Sequence, residues 1–146
     1  MIYILDASAM IAYLRAEPGG DVVRDVLRDP AHQCLAHAIN LCEVYYDFYR
    51  AEGQTVAGAA LRDLEAAGVA RREDISPSFC QAVGALKATR RRISLADCFG
   101  VTLAKTVSGT LLSADHHEFD SLAASGECTV AFIRKHTLQP VQPRGS

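Results

Sequence analysis

Short apolar segments that favour β-strands alternate with helical segments along most of this chain. The first is Ile2–Leu5, which ends at Asp6 and is followed by apolar residues at helical spacing up to Leu14. Similar short runs occur at residues 34–38, 69–75, 110–114 and 130–133. Strands that alternate with helices predict a mostly parallel sheet with helices on both faces. The fold class expected from this pattern is therefore α/β.

The helical segments between these runs carry regular apolar stripes and end signals. In residues 39–50, Leu41, Val44, Tyr45 and Phe48 recur at the spacing of one buried helix face. Further helices are expected at residues 9–14, 22–27, 56–67, 77–91 and 94–107. His116 and His117 are expected to lie in a polar loop.

Acidic residues interrupt four of the apolar stretches. They are Asp6, Glu43, Asp97 and Asp115. A buried carboxylate is costly unless it is paired, and neighbouring carboxylates repel each other. Asp6 and Asp115 both follow apolar strands, and the carboxyl ends of parallel strands meet at one edge of the sheet, where such folds bind ligands. A divalent cation would remove both penalties, so the pattern predicts a metal site.

Each acid also has a purely structural explanation when taken alone. Asp6 or Ser8 can cap the first helix, and Asp115 has the capping-box spacing with Glu118 three residues later. Ser94 and Asp97 have the same spacing, while Glu43 can be a solvated residue on the flank of its helix. The residues themselves leave both explanations open.

The bulk properties are those of one ordinary domain. The chain has 146 residues, a formal charge of −2 and five widely spaced cysteines without a C-x-x-C pair. Reduced core thiols, no membrane span, no signal peptide and a cytoplasmic location are expected. The polar, proline-rich end predicts a domain over residues 1–135 and a flexible tail over residues 136–146.

Four segments together carry a family resemblance that covers residues 2–133. YILDASA, INLCEVYY, SLADCFGVTLA and LLSADHHEF resemble, in order and spacing, the motifs of PIN domains, and most of all those of VapC-type toxins. The resemblance implies a PIN-like three-layer sandwich, in which a mainly parallel, twisted sheet is flanked by helices. This fold agrees with the one expected from the alternating strands and helices.

The resemblance also implies a set of site residues. The catalytic, metal-coordinating acids would be Asp6, Glu43, Asp97 and Asp115. Ser8, two positions after the first Asp, and Asn40, three positions before the Glu, would support them. In the last motif, which reads DHHEFD, either Glu118 or Asp120 could add a further acid, and the motif does not choose between them.

The activity implied is that of a Mg²⁺-dependent endoribonuclease, the toxin of a VapBC-type toxin–antitoxin system. Carboxylate oxygens suit Mg²⁺, or Mn²⁺, better than zinc, and such a site cleaves phosphodiesters through a metal-activated water. Zinc would need further nitrogen or sulfur ligands beside the adjacent His116 and His117. The partners implied are an RNA substrate, a cognate VapB-type antitoxin and a second copy of the chain in a homodimer.

A cluster of basic residues precedes the Asp97 helix. Its members are Lys87, Arg90, Arg91 and Arg92. The three arginines would bind the RNA backbone, although a solvated basic face explains them equally well. Two other functions remain: a non-catalytic PIN-fold RNA-binding or scaffold protein, and a receiver-type domain with a phosphorylated Asp. The second lacks the acidic pair and the strand-end Lys that it requires.

Overall fold

A single five-stranded sheet forms the centre of the protein. The computed structural model describes residues 1–135, so the tail predicted for residues 136–146 lies outside the described residues. The strands are β1 (Ile2–Leu5), β2 (Gln33–His37), β3 (Val69–Arg72), β4 (Thr110–Ser113) and β5 (Val130–Phe132). They run in the order β3-β2-β1-β4-β5, and every neighbouring pair is parallel. The predicted parallel sheet is confirmed.

Helices connect the strands. They are α1 (Ala7–Leu14), α2 (Gly20–Arg28), α3 (Ala38–Glu52), α4 (Gln54–Ala66), α5 (Pro77–Thr89), α6 (Leu95–Thr106) and α7 (His116–Ser125). Within the described part of the chain, no helix is long and apolar enough to cross a membrane.

Helix α7 occupies the segment that was expected to be a polar loop, and that expectation is wrong. The Asp115 side chain accepts a hydrogen bond from the Glu118 backbone N–H and so caps the helix. Phe119 and Leu122, three residues apart, are fully buried and fix its inner face. The polar residues at its start concealed this short apolar stripe.

The sheet separates two apolar cores, which makes the molecule a three-layer sandwich. Successive residues of a strand point to opposite faces. In β1, Ile4 therefore packs in the core formed with α5, α6 and α7, whereas Leu5 packs in the core formed with the first four helices. The predicted three-layer architecture is confirmed.

Two of the five cysteines are not core residues as expected. All five are free thiols; Cys34, Cys98 and Cys128 are buried, whereas Cys42 and Cys80 are exposed. Cys42 lies on the outer face of α3 beside the buried Leu41, where one position along the helix moves a side chain from core to solvent.

The central position of β1 brings distant parts of the chain to one edge. β1 pairs with β2 on one side and β4 on the other, with Ile4 opposite both Leu35 and Leu111. The backbone N–H of Asp6 continues this pairing by donating to the carbonyl of Leu112 (3.2 Å). The residues that follow β1 and β4 therefore emerge side by side.

Candidate active site

Asp6 lies directly after β1 and caps α1. Its Oδ1 accepts hydrogen bonds from the Ala9 N–H (2.9 Å) and the Ser8 hydroxyl (2.7 Å). Only 2% of the residue is exposed. Burial raises the pKa of Asp6 to about 7, against the lowering effect of hydrogen bonds from Ser113, Ala9 and Ser8; the Asp97 charge raises it further. The capping explanation is therefore correct, yet it leaves an expensive carboxylate at the sheet edge.

Ser8 joins the start of α1 to the end of β4. Its hydroxyl donates to Asp6 and accepts from the Ala114 N–H (2.9 Å), and it lies 3.3 Å from the Ser113 hydroxyl. The Ser113 Oγ in turn accepts from the Asp115 N–H (3.0 Å). This serine pair sets the spacing between Asp6 and Asp115. Ser113 was not predicted; its signal in the sequence is a polar residue at the end of a fully buried strand.

Asp97 lies in the first turn of α6, half-buried, and electrostatically it is the central acid. Ser94 caps the helix by accepting from the Asp97 N–H (3.2 Å), as its spacing suggested. The negative charge of Asp97 contributes to the raised pKa values of Asp6, Glu43 and Glu118. Acids from α1, α3 and α7 are thus close enough to Asp97 to feel its charge.

Glu43 extends from α3 toward α6 and is held by Asn40. The fully buried Asn40 donates through Nδ2 to Glu43 Oε1 (3.1 Å) and to the Ala96 carbonyl (3.2 Å). Burial raises the pKa of Glu43, the Asn40 hydrogen bond lowers it, and the charge of Asp97 raises it. Glu43 is half-buried, so the alternative of a solvated flank residue is wrong.

Gly100 makes room for this arrangement on α6. A Cβ atom at this position would lie 3.0 Å from Asn40 Oδ1, closer than ordinary van der Waals contact. The absence of a side chain therefore allows Asn40 to reach Ala96 and Glu43.

The last motif contributes Asp115 and Glu118 to the acidic group. Burial raises the pKa of Glu118 to about 8, followed by the adjacent Asp97 side chain and the charges of Asp97 and Asp115. Glu118 Oε2 is buried without a hydrogen-bond partner among residues 1–135. Asp120 is instead bonded to His116 (Oδ1 to Nδ1, 2.9 Å). The structure thus places Glu118 beside the predicted acids, a role hidden in the sequence by its capping spacing.

The donor chemistry of this group suits a hard divalent cation. The side chains that meet here offer carboxylate oxygens, the ligands that Mg²⁺ and Mn²⁺ prefer. Across residues 1–135, however, no three His, Cys, Asp or Glu side chains are arranged to hold a metal ion. Both ring nitrogens of His116 are already bonded, one to Asp120 and one to the Arg134 carbonyl. The metal site remains a prediction whose observable support is the accumulated negative charge.

The predicted RNA-binding arginines lie beside the acids, between α5 and α6. Arg91 and Arg92 are exposed, while Arg90 is ion-paired with Glu127 (3.0 Å). A cleft of about 450 Å³ separates this segment from the start of α7 and is lined by all three arginines and by Glu118.

Comparison with known proteins gives a family. The PIN domain family model matches residues 3–124. No curated protein matches the chain in sequence. Among solved structures, DNA-bound VapBC from Salmonella typhimurium matches with a TM-score of 0.72 and 13% identity, covering 92% of this chain and 99% of that chain.

Two further structures show the same fold. VapBC2 from Rickettsia felis, bound to a promoter DNA fragment, matches with a TM-score of 0.70 and 14% identity over 90% of this chain and 98% of that chain. Mycobacterium tuberculosis VapC20, a sarcin-ricin loop cleaving toxin, matches with a TM-score of 0.66 and 15% identity over 82% and 94%. The chain belongs to the PIN domain family, and its fold is the one seen in VapBC toxin–antitoxin structures.

Proposed function

We propose that this protein is a Mg²⁺-dependent endoribonuclease, with Mn²⁺ as an alternative ion, and the toxin of a VapBC-type toxin–antitoxin system. The observation that carries the proposal is the set of acids around Asp97 at the carboxyl edge of the sheet. The pKa values of Asp6, Glu43 and Glu118 are all raised, by burial first and by the charge of Asp97 as well. A protein that kept these acids only as helix caps would have no use for their proximity.

Each acid has a defined role in this proposal. Asp6, Glu43, Asp97 and Asp115 hold the ion, and Glu118 adds a fifth carboxyl beside Asp97. A divalent cation bound here supplies positive charge to the phosphodiester and lowers the pKa of the attacking water. Ser8 orients Asp6 and Asn40 orients Glu43 through the hydrogen bonds described above.

The proposed partners follow from the family and from one exposed surface. VapBC complexes among the structural relatives support a VapB-type antitoxin as partner, and an antitoxin arginine suits the acidic group because guanidinium–carboxylate pairs are strong and bidentate. We propose a homodimer through the outer face of α3. Tyr46 and Tyr49, 60% and 50% exposed, follow Ile39 and Cys42 there at helical spacing.

The test is cleavage of total cellular RNA by the purified protein in Mg²⁺ or Mn²⁺. We expect discrete fragments with 5′-phosphate ends, which disappear in EDTA and in the Asp97→Asn variant. Asp63→Asn, which removes an exposed acid from α4 instead, should cleave like the wild type.

Metal binding should be measured on the same samples by isothermal titration calorimetry. Loss of both Mg²⁺ binding and cleavage in Asp97→Asn, with an unchanged circular dichroism spectrum, supports the proposal. Folded wild-type protein that binds RNA but cleaves none in either metal would contradict it and favour the non-catalytic RNA-binding protein.

A further inference from the structure

We propose that the cleft between residues 90–93 and the start of α7 is a binding subsite for an RNA phosphate next to the one that is cut, with Arg91 and Arg92 as its ligands. This inference rests on the proposed function, because the neighbouring acids define where cleavage occurs. It divides the basic cluster into two residues that bind RNA and two that hold the backbone.

The cleft is continuous with the acidic group. One wall is the segment with Arg90, Arg91 and Arg92, and the other begins at His116 and His117 and reaches Glu118. Glu118 belongs to both places, since the charges of Asp97 and Asp115 raise its pKa. Its volume of about 450 Å³ lies within the range of small-ligand sites. A strand whose phosphate lies at the acids therefore has space for its next nucleotide here.

The arginine segment is a well-anchored turn. The Ile93 N–H donates to the Arg90 carbonyl (3.1 Å), which places Arg91 and Arg92 at the two central positions. Ile93 is buried and fixes one end of the turn in the core. The Lys87 ammonium donates to the Arg91 carbonyl (2.8 Å) and holds the middle. Such support limits the entropy lost when the turn binds a ligand.

Arg90 is used to attach the turn to the rest of the domain. Its guanidinium bonds Glu127 (3.0 Å) and Ser121 (3.4 Å), and it lowers the pKa of Glu127. Lys87 is occupied by the Arg91 carbonyl. By contrast, the exposed guanidinium groups of Arg91 and Arg92 form no ion pair or hydrogen bond with any residue of the described chain.

Unpaired positive charge at a turn tip is suited to a phosphate. A guanidinium binds phosphate oxygens through paired N–H donors, and backbone phosphates provide most of the salt-dependent affinity for nucleic acids. Asp120 also lines the cleft, but its carboxylate is bonded by His116. The negative charge deepest in the cleft is that of Glu118, on the side of the proposed metal.

The test compares Arg91→Gln/Arg92→Gln with the wild type in two assays. Binding of a short fluorescent single-stranded RNA of random sequence is measured by anisotropy in EDTA over a range of salt concentrations. We expect weaker binding and a salt slope reduced by about 1.4, which is about 0.7 for each of two lost phosphate contacts. In Mg²⁺, KM for RNA cleavage should rise several-fold while kcat changes little.

Two control variants test the division within the cluster. Arg71→Gln removes an exposed arginine from β3, at the opposite edge of the sheet, and should leave the slope unchanged. Glu127→Gln breaks the ion pair but keeps the Arg90 charge. We expect both Arg90→Gln and Glu127→Gln to lower the melting temperature. A salt slope reduced by Arg90→Gln and unaffected by Glu127→Gln would make Arg90 an RNA ligand and overturn the division.

The two proposals fail in different ways. If the wild type cleaves RNA and the double variant has the same KM and salt slope, the subsite is wrong and the nuclease stands. If the wild type binds RNA without cleaving it and the double variant loses the salt dependence, the binding surface stands and the nuclease is wrong.

Discussion

The two sides of the acidic group hold their carboxyls in different ways. On the β1 and β4 side, Asp6 is fully buried but receives hydrogen bonds from a serine and a backbone N–H. On the α6 and α7 side, Glu118 lies against Asp97, and its Oε2 has no partner in the described chain. The first side is satisfied by the protein itself. The second has a deficit of positive charge, and there a cation would gain most.

The largest effect is expected from Asp97→Asn, which acts on the second side. Even residues that only support metal ligands are worth about 10–100-fold in affinity or activity, so cleavage should fall by more than about 100-fold. The metal-free protein should melt at a higher temperature, because the main negative neighbour of Glu118 is gone. Kinetics and a melting curve in EDTA measure the two effects. A drop in melting temperature would mean that the second side has no deficit.

Ser8→Ala should have the next largest effect and acts on the first side. It removes a donor to Asp6 and leaves the Ala114 N–H without its acceptor. Loss of about 1–3 kcal/mol of stability is expected, with about a 10–100-fold loss of activity. Ser78→Ala, at an exposed position on α5, is the matched control for denaturant unfolding. Equal behaviour of the two variants would remove the support that we assign to the first side.

A smaller effect is expected from Gly100→Ala, which disturbs the Asn40 and Glu43 arm between the two sides. The new methyl group would press on Asn40, which is fully buried and bonded at Nδ2, so a cost of about 1–3 kcal/mol is expected. Gly84→Ala on α5 meets no atom within 4 Å and should stabilise by about 0.4–1 kcal/mol. Urea unfolding of both variants would show opposite signs if Asn40 cannot move.

The smallest and most gradual effect is the pH dependence of the metal-free protein. Asp6 and Glu118 have ordinary pKa values of 3.8 and 4.5, which the fold raises to about 7 and about 8. The folded state then binds more protons than the unfolded state, so their contribution is present below pH 4 and is lost as the pH rises through 7 to 8. Melting temperature in EDTA should therefore fall across this window.

Mg²⁺ should reverse this loss more strongly at pH 8 than at pH 5, because ions require the ionised carboxylates. Asp6→Asn and Glu118→Gln should each flatten the profile in EDTA. If only Glu118→Gln does so, the serine network has already compensated for the burial of Asp6, and the contrast between the two sides is sharper still.

The sequence predicted the sheet because its strands are compact apolar runs, and it predicted that Asp6 and Asp115 converge because both follow such runs. It did not predict helix α7, whose first residues are polar and whose apolar stripe has only two fully buried members. The proximity of Glu118 to Asp97 depends on the packing of α7 against α6. That packing leaves no spacing signal along the chain.

Other features depended on single contacts. Lys87, Arg90, Arg91 and Arg92 form one basic run in the sequence, and only the bonds to Glu127 and to the Arg91 carbonyl separate them. Cys42 and Cys80 were expected in the core because free cysteines are usually buried, but their helix faces are exposed. Such distinctions require the positions of distant residues.

The hydrogen bond from Ala114 to Ser8 joins residues 106 positions apart. While the protein is being synthesised, the first hundred residues already contain Asp6, Glu43 and Asp97, but β4 and the residues after it are still missing. The acidic group therefore cannot assemble on an unfinished chain. A ribosome making this protein would be exposed to its activity only after nearly the whole domain has emerged and β4 has inserted beside β1.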